Sequence, residues 1–568
     1  MQWLFRSECC PPPPENLAEL AEKLEISERA ASFLWQRGLR DLDAMRLFLN
    51  PRLVGLQALD CWPGLEEAAS LLAKALLDGE HICVWGDYDV DGITATALVK
   101  DFLSRHNFRA GHHIPDRIAE GYGLNTEAIG KLAREGVNFL LTVDCGISDN
   151  EAVSYAKSLG MRVIISDHHL PSEDLPDADA IVNPRMAPCP CPALAGVGVA
   201  FLLMAAVNAA LHEAGRPKVD IRPLLDLVAL GTLADVVDLK GQNRILVKNG
   251  LLVLGKGSRT GLAALKSACK FSPTASLGAG QVVFTLAPRI NAAGRLGSSE
   301  SALELLLTQD RNRAVELAAE LSRLNSERRA EEDRILQEAM AQAEDQARQG
   351  AMGLVLHSAD WHPGIIGIVA SRVVESMHRP TVVLSQGEHF LKGSGRSVAS
   401  FDMHKAFTCC ADLFLGYGGH KMAAGLSILA EKLPEFKERF DALVGEILGG
   451  APTEAQCKID GELGFGEANF ELLKELEMLQ PFGMGNAEPV FASPPVIVKS
   501  MRGRPGFMLL ELEDSASAVT LTAKAWRHLA DMPTSLLGKC IRIAYTPRID
   551  RYNGAASIEL RMKDWKLV

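Results

Sequence analysis

Three carboxylates sit at alternate positions in residues 86–92, Gly-Asp-Tyr-Asp-Val-Asp-Gly, straight after the apolar run His-Ile-Cys-Val-Trp at 81–85. Asp87, Asp89 and Asp91 would repel one another unless cations lay among them. A calcium loop of the Asp-x-Asp-x-Asp-Gly kind does not suit. Its twelfth position, which needs a bidentate Glu, is Leu98, and it needs an entering helix where 81–85 reads as a strand. A solvated acidic turn is the plainer account of this motif taken alone. Asp144, in Thr-Val-Asp-Cys-Gly-Ile-Ser at 142–148, could equally cap a turn or helix. The run Asp167-His168-His169 is less ordinary, because carboxylate and neutral imidazole together suit Mn²⁺, Fe²⁺ or Zn²⁺ better than Ca²⁺. Asp235 and Asp238 follow a further apolar run within 230–239. No Gly-x-Ser-x-Gly elbow supplies a covalent nucleophile.

The elements that must position these groups are legible in outline. The length of 568 residues suits three to four domains. From about 65 to 240, helical segments alternate with the short apolar runs 81–85, 138–143 and 162–166, the pattern of a parallel α/β sheet. Each run ends directly in an acid or acid-histidine cluster. Ligands bind beyond the carboxyl ends of such strands, so these clusters should converge. Residues 299–349 lack proline and read as one or two long helices. A second α/β unit follows, with strands at 353–357 and 381–385 around a helix at 364–377. Five alternating strands between about 495 and 568 suggest a small barrel, with an OB-fold as first choice. The expected division is a helical arm over 1–60, an α/β catalytic domain over 61–298, a connecting helix over 299–349, a second α/β domain over 350–452 and the barrel over 453–568.

Composition is that of an ordinary globular chain, 47% hydrophobic and 23% charged. The net charge of −12 argues mildly against nucleic acid, but binding follows local potential rather than the sum. Residues 496–568 are locally basic, with twelve Lys and Arg against seven Asp and Glu. The twelve cysteines contain no paired Cys-x-x-Cys and suit reduced thiols in the cytoplasm. The N-terminus shows no signal-peptide pattern, and no run approaches the roughly 20 apolar residues of a membrane span.

Taken in order, the four acidic motifs resemble the DHH phosphoesterase family, named for a run like Asp167-His168-His169. The resemblance implies that Asp89, Asp91, Asp144, His168 and Asp235 hold two divalent metal ions, Mn²⁺ or Mg²⁺, with Asp144 as the bridge. Asp87 would be a further ligand or would orient the attacking water, and His169 would contact the scissile phosphate or help the leaving group. In one departure, Trp85 stands where some members carry a histidine, which implies a weaker first metal. Such an ion pair ionises a bridging water and stabilises in-line phosphoryl transfer.

Later motifs bear on the substrate. Arg289, Asn291 and Arg295 lie on a glycine-containing segment at 287–298, Ser371 and Arg372 on a helix, and Ser394 and Arg396 in Ser-Gly-Arg-Ser. Gly418, Gly419 and His420 lie in a glycine-rich stretch at 416–427. Each alone could be a tight turn or surface charge; in order they resemble the DHH-associated substrate domain, which grips phosphate or nucleic acid. Residues 117–125, 479–491 and the terminal barrel resemble the large single-strand exonucleases of the family, with Tyr122 a candidate for stacking a base. What this implies is 5′-to-3′ hydrolysis of single-stranded DNA to 5′ mononucleotides in recombination and repair. The enzyme would be a monomer, partnered by a helicase and a single-strand-binding protein, with no membrane involved. Two other readings remain, a phosphodiesterase of short oligonucleotides or cyclic dinucleotides and a non-catalytic DNA-binding scaffold.

Overall fold

The computed structural model describes every residue except 118, 388, 451–454, 505, 527–528, 530–531 and 551–555. Arg527 and Arg551, counted with the basic residues above, and the expected boundary at 452/453 therefore lie outside the described residues. The chain begins with strand β1 (Gln2–Phe5), which pairs in parallel with Gln456–Ile459 near the other end of the sequence. Helices Leu17–Leu24, Glu28–Gln36 and Leu42–Leu49 follow, the last two capped by the side chains of Ser27 and Asp41. Phe33, Leu34, Met45 and Phe48 enter the core of the C-terminal barrel. The expected arm is thus packed onto the opposite end of the chain.

The first sheet contains β2 (Ile82–Gly86), β3 (Gly111–His113), β4 (Phe139–Val143), β5 (Arg162–Ser166) and β6 (Ala180–Val182), all parallel, in the order β3-β2-β4-β5-β6. β2 and β4 are buried throughout, as apolar runs covered on both faces must be. Ile82 and Val84 face a large core shared with helices α1 (Val90–Arg105), α2 (Gly196–Glu213), α3 (Leu225–Ala234) and α4 (Gly241–Lys256). Cys83 and Trp85 face the opposite side, with Leu124, Ile129 and Val153. α2 is long and apolar enough by composition to cross a membrane, contrary to the expectation that no run approaches that length. It lies largely buried against α1 and the helix Leu65–Asp78. The register sets Gly86 beside Val143 and Val143 beside Ser166. Asp87, Asp144 and Asp167 therefore leave the sheet side by side.

Helix α5 (Ala287–Leu296) leads through Glu300–Leu307 to α6 (Arg311–Arg348), which is about 57 Å long at 1.5 Å per residue. Ala314, Leu317 and Leu321 pack α6 onto the first lobe, and Ile335, Ala339 and Ala343 onto the second. The second lobe holds β7 (Leu354–Ser358), β8 (Thr381–Gln386), β9 (Leu391–Arg396), β10 (Phe414–Gly419) and β11 (Ala423–Ile428), in the order β10-β11-β9-β8-β7. Helix α7 (Ile366–Met377) packs on it, and only β7 and β8 run parallel. After β12 (Gln456–Ile459) come β13 (Gly461–Glu462), β14 (Phe491–Ala492), β15 (Val496–Arg504), β16 (Phe507–Asp514), β17 (Thr520–Trp526), β18 (Cys540–Asp550) and β19 (Ser557–Leu567). Their order is β13-β14-β18-β15-β16-β17-β19, and β19 pairs back onto β18, closing an OB-like ring.

Candidate metal centre and substrate cleft

The backbone brings four separate acidic motifs to one point. Asp89 caps α1, its Oδ1 accepting from Asp91 N at 2.8 Å and Gly92 N at 3.1 Å. Gly92 is required there, because a Cβ would lie 2.5 Å from Asp87 N. Asp91, inside the first turn of α1, is held by the start of α2. Its carboxylate accepts from Gly196 N at 2.7 Å and Val197 N at 3.0 Å. Asp144 has a left-handed backbone (φ 64°) and its N–H donates to Ser166 O at 2.9 Å. His168 Nε2 lies 3.1 Å from Asp144 Oδ1 and 3.7 Å from Asp235 Oδ2. Asp235 is the C-cap of α3.

Asp167 has a different task. Oδ1 accepts from His168 N at 2.7 Å, His169 N at 3.1 Å and His169 Nδ1 at 2.8 Å, and Oδ2 accepts from Ile147 N at 3.0 Å. With its acceptors so used it orients the two histidines, a function the sequence reading did not assign. Burial would raise its pKa, but His169 and these donors hold it below the usual carboxylate range.

The donor set fits cations. Asp87, Asp89 and Asp144 offer oxygens within 4.8 Å of one another, and Asp91, His168 and Asp235 form a second such group. Asp144 also groups with His168 and His169. Asp87 Oδ1, Asp144 Oδ1, Asp235 Oδ2 and His168 Nε2 are buried and make no hydrogen bond among the described residues. Burial, reinforced by neighbouring carboxylates, raises Asp91 to about 7 and Asp235 to about 9, and lifts Asp87 and Asp144 well above the usual range. Burial and His169 push His168 down to about 3, leaving a neutral imidazole suited to a metal. Acids this costly to ionise, with orphaned donor atoms facing one another, are satisfied by divalent cations.

Beside this centre, between the lobes, lies a cleft of about 760 Å³. Arg117, Arg295 and Arg396 line it with Ser371, Arg372, Ser394 and Gly418. Burial, together with Arg117, Arg328 and Arg396, lowers Arg295 to about 9. So many crowded guanidinium groups make a site built for an anion. Arg372 Nε lies 3.4 Å from Glu332 Oε1 of α6. His420, next to the positive-φ Gly419, is lowered by burial and then by His169, Arg185 and His404, so it feels the metal centre from the other lobe. Tyr122 Oη is 3.1 Å from His169 Nδ1, with half the side chain exposed.

Comparison with known proteins follows the same layout. The DHH family N-terminal domain matches residues 81–232, the DHHA1 domain 350–446 and the RecJ OB domain 459–564. The single-stranded-DNA-specific exonuclease RecJ of Dickeya dadantii is 40% identical over 478 residues, covering 80% of this chain and 81% of that protein. RecJ of Haemophilus influenzae is 36% identical over 515 residues, covering 88% and 89%. The chain belongs to the RecJ family. The crystal structure of RecJ in complex with Mn²⁺ from Thermus thermophilus superposes with a TM-score of 0.84 at 33% identity, covering all of this chain and 79% of that one. Trp85 is wholly buried against His113, ring centroids 4.2 Å apart, on the face of the sheet away from α1. Arg289 is not on the cleft wall: it donates to Ser322 Oγ of α6 and to Thr285 O. Asn291 shares its helix and is likewise not on that wall. Arg117, which is on that wall, lies in the same 117–125 segment as Tyr122, and nothing in the local sequence marks it as a cleft residue.

Proposed function

We infer that the chain is a metal-dependent exonuclease of single-stranded DNA, and that it works from the 5′ end and releases 5′ mononucleotides. The observation that supports this most is the neighbourhood of a carboxylate-imidazole centre and an arginine-walled pocket. Asp91, Asp144, His168 and Asp235 would hold one divalent ion, and Asp87, Asp89 and Asp144 a second, Mn²⁺ or Mg²⁺. Bound there, the pair supplies a water ionised at neutral pH and charge to stabilise the in-line transition state. The chain's own residues do the rest. Asp167 fixes His169, and although burial opposes its protonation, Asp167 and nearby carboxylates raise its pKa, so it donates to a phosphate oxygen or the leaving group. Arg117, Arg295 and Arg396 grip the terminal 5′ phosphate. Their fixed separation from the metal centre sets the polarity and the one-nucleotide step. On this reading the enzyme is a cytoplasmic monomer of recombination and repair, supplied with single strands by a helicase and working beside a single-strand-binding protein.

An oligonucleotide labelled at either end, given as single strand and as duplex with Mn²⁺ or EDTA, tests the activity. The expected result is metal-dependent release of 5′ mononucleotides from the 5′ end of the single strand. Turnover of dinucleotides alone would transfer the assignment to a small-substrate phosphodiesterase, and binding without cleavage to a scaffold.

Two variants test the pocket and the barrel. Arg396→Ala should lower kcat/KM on 5′-phosphorylated strands by roughly 100-fold, one to two charge-assisted hydrogen bonds, and by far less on 5′-hydroxyl strands. Equal losses on both ends would remove the terminal-phosphate role. On the barrel, Trp526 is 41% exposed and its ring centroid is 4.6 Å from that of Phe507, and the register lines Phe507 up with Arg504 on one side and Trp526 on the other. Trp526→Ala should weaken binding of long strands by roughly 10-fold, a typical loss for one stacked base, and leave dinucleotide cleavage unchanged. This substitution is cleaner than removing the barrel, whose core also holds Phe33, Leu34, Met45 and Phe48.

A further inference from the structure

Residues 479–486, Leu-Gln-Pro-Phe-Gly-Met-Gly-Asn, are prominent in the sequence and take no part in the chemistry above. They lie between β13 and β14 of the barrel sheet, yet they dock at the edge of the metal centre. Met484 O accepts from Leu239 N at 2.9 Å. A Cβ on Gly483 would lie 2.7 Å from Leu239 Cδ1, and one on Gly485 would lie 2.9 Å from Asp238 Cγ and Oδ1. Gly485 also has φ +70°, so a side chain there is excluded twice over. Both glycines thus press bare backbone onto the turn that follows Asp235.

The segment is itself clamped. Asn486 Nδ2 donates to Leu479 O at 2.9 Å and Pro481 O at 2.8 Å, and its Oδ1 accepts from Arg37 Nε at 2.9 Å. From α4, Arg244 Nη2 and Lys248 Nζ each donate to Gln480 O at 2.9 Å. Arg244 is fully buried, and its Nε donates to Phe48 O at 2.8 Å. The turn needs holding, because Val236, next to Asp235, has φ +62°. A β-branched residue keeps that conformation only where its surroundings over-determine it. On the turn's other side, Asn243 Nδ2 donates to Asp238 O at 3.1 Å and Ala193 O at 2.6 Å.

We propose that segment 479–486 is a positioning device for Asp235, so that docking of the C-terminal domain sets the affinity of the metal centre. This rests on the reading of Asp235 as a metal ligand. The segment touches no reacting atom. It acts through the 235–239 turn, whose rigidity decides whether the Asp235 carboxylate meets His168 and Asp91 or swings away. Partners that orient a ligand in this way commonly change metal affinity by roughly 10–100-fold.

The test is Mn²⁺ titration calorimetry on the full chain, run on wild type, Gly485→Ala, Lys248→Met and Asp235→Ala, with strand affinity measured separately in EDTA. Gly485→Ala should weaken Mn²⁺ binding at least tenfold, leave metal-free strand affinity within about twofold, and recover turnover at high Mn²⁺. Lys248→Met, which removes one of the two donors to the Gln480 carbonyl and leaves the turn untouched, should shift the isotherm in the same direction by less. A normal Mn²⁺ isotherm in both variants, with Asp235→Ala weakened as expected, would overturn the positioning role alone. Turnover lost in Gly485→Ala and not restored by Mn²⁺ would overturn it too. An unaltered isotherm in Asp235→Ala would overturn the ligand assignment and the positioning role with it.

Discussion

Asp144→Asn is expected to abolish hydrolysis, lowering kcat on the order of 10⁴-fold, while single-strand affinity stays within about threefold. Asp144 is the residue common to the carboxylate group with Asp87 and Asp89 and the group with His168 and His169. Its Oδ1 is buried, lies 3.1 Å from His168 Nε2 and makes no hydrogen bond among the described residues. Removing its charge therefore deprives both halves of the centre at once. On the proposed reading the strand is gripped elsewhere, by the cleft residues Arg117, Arg295 and Arg396 and by the barrel, so binding should survive. Asn is the better probe than Ala because the φ of 64° is one that Asn tolerates and Ala does not. Asp144→Ala should show the same loss of turnover together with some loss of stability. Single-turnover cleavage at saturating Mn²⁺, beside fluorescence anisotropy of a labelled strand, separates the two quantities. Turnover within tenfold of wild type in Asp144→Asn would sink the two-metal assignment.

How much of this centre could be read from residues depended on how local the signal was. Asp87 and Asp144 could be placed because each follows a short, fully buried strand of a parallel sheet, and the register sets them side by side, although Asp144 alone read equally well as a cap. Asp167 sits in an equally plain position, but nothing in an Asp-His-His run tells an orienting carboxylate from a ligating one. Only the donors converging on both its oxygens do that. Arg289 and Arg295 read as neighbours on a glycine-containing segment. That segment is a helix, and six residues place them about 120° apart around its axis, so Arg295 faces the cleft while Arg289 turns to α6. The five long barrel strands were visible as alternation. The two-residue strands Gly461–Glu462 and Phe491–Ala492 were too short to show a period. β1 is four residues long and pairs with a strand at the far end of the chain, a contact that no local pattern encodes.

Stripping the metal should make stability fall as pH rises from about 7 to 9, and saturating Mg²⁺ should flatten that fall. In the metal-free fold, burial and then neighbouring carboxylates push Asp91 up to about 7 and Asp235 up to about 9, against about 3.9 in an unfolded chain, so of these two Asp235 carries the fall above pH 7. Between those limits the folded protein binds more protons than the unfolded one. The stability these carboxyls contribute is therefore complete below about pH 4 and is lost as pH climbs through their folded values. His168 works in the opposite sense. Its folded value near 3 lies below the unfolded value of about 6.5, so its contribution grows between those limits and is complete by about pH 7. Above pH 7 only the carboxylate effect remains of the two. Divalent ions replace the protons as counter-charges and bind the native state alone, so they remove the dependence by mass action. Thermal unfolding with EDTA should show a Tm lower at pH 9 than at pH 7 by roughly 5–10 °C relative to the Mg²⁺ series. Asp235→Asn should shrink that difference, because it deletes one of the charges in dispute. Metal-free and Mg²⁺ curves that run parallel from pH 7 to 9 would mean that the buried carboxylates are neutralised by something other than a divalent cation.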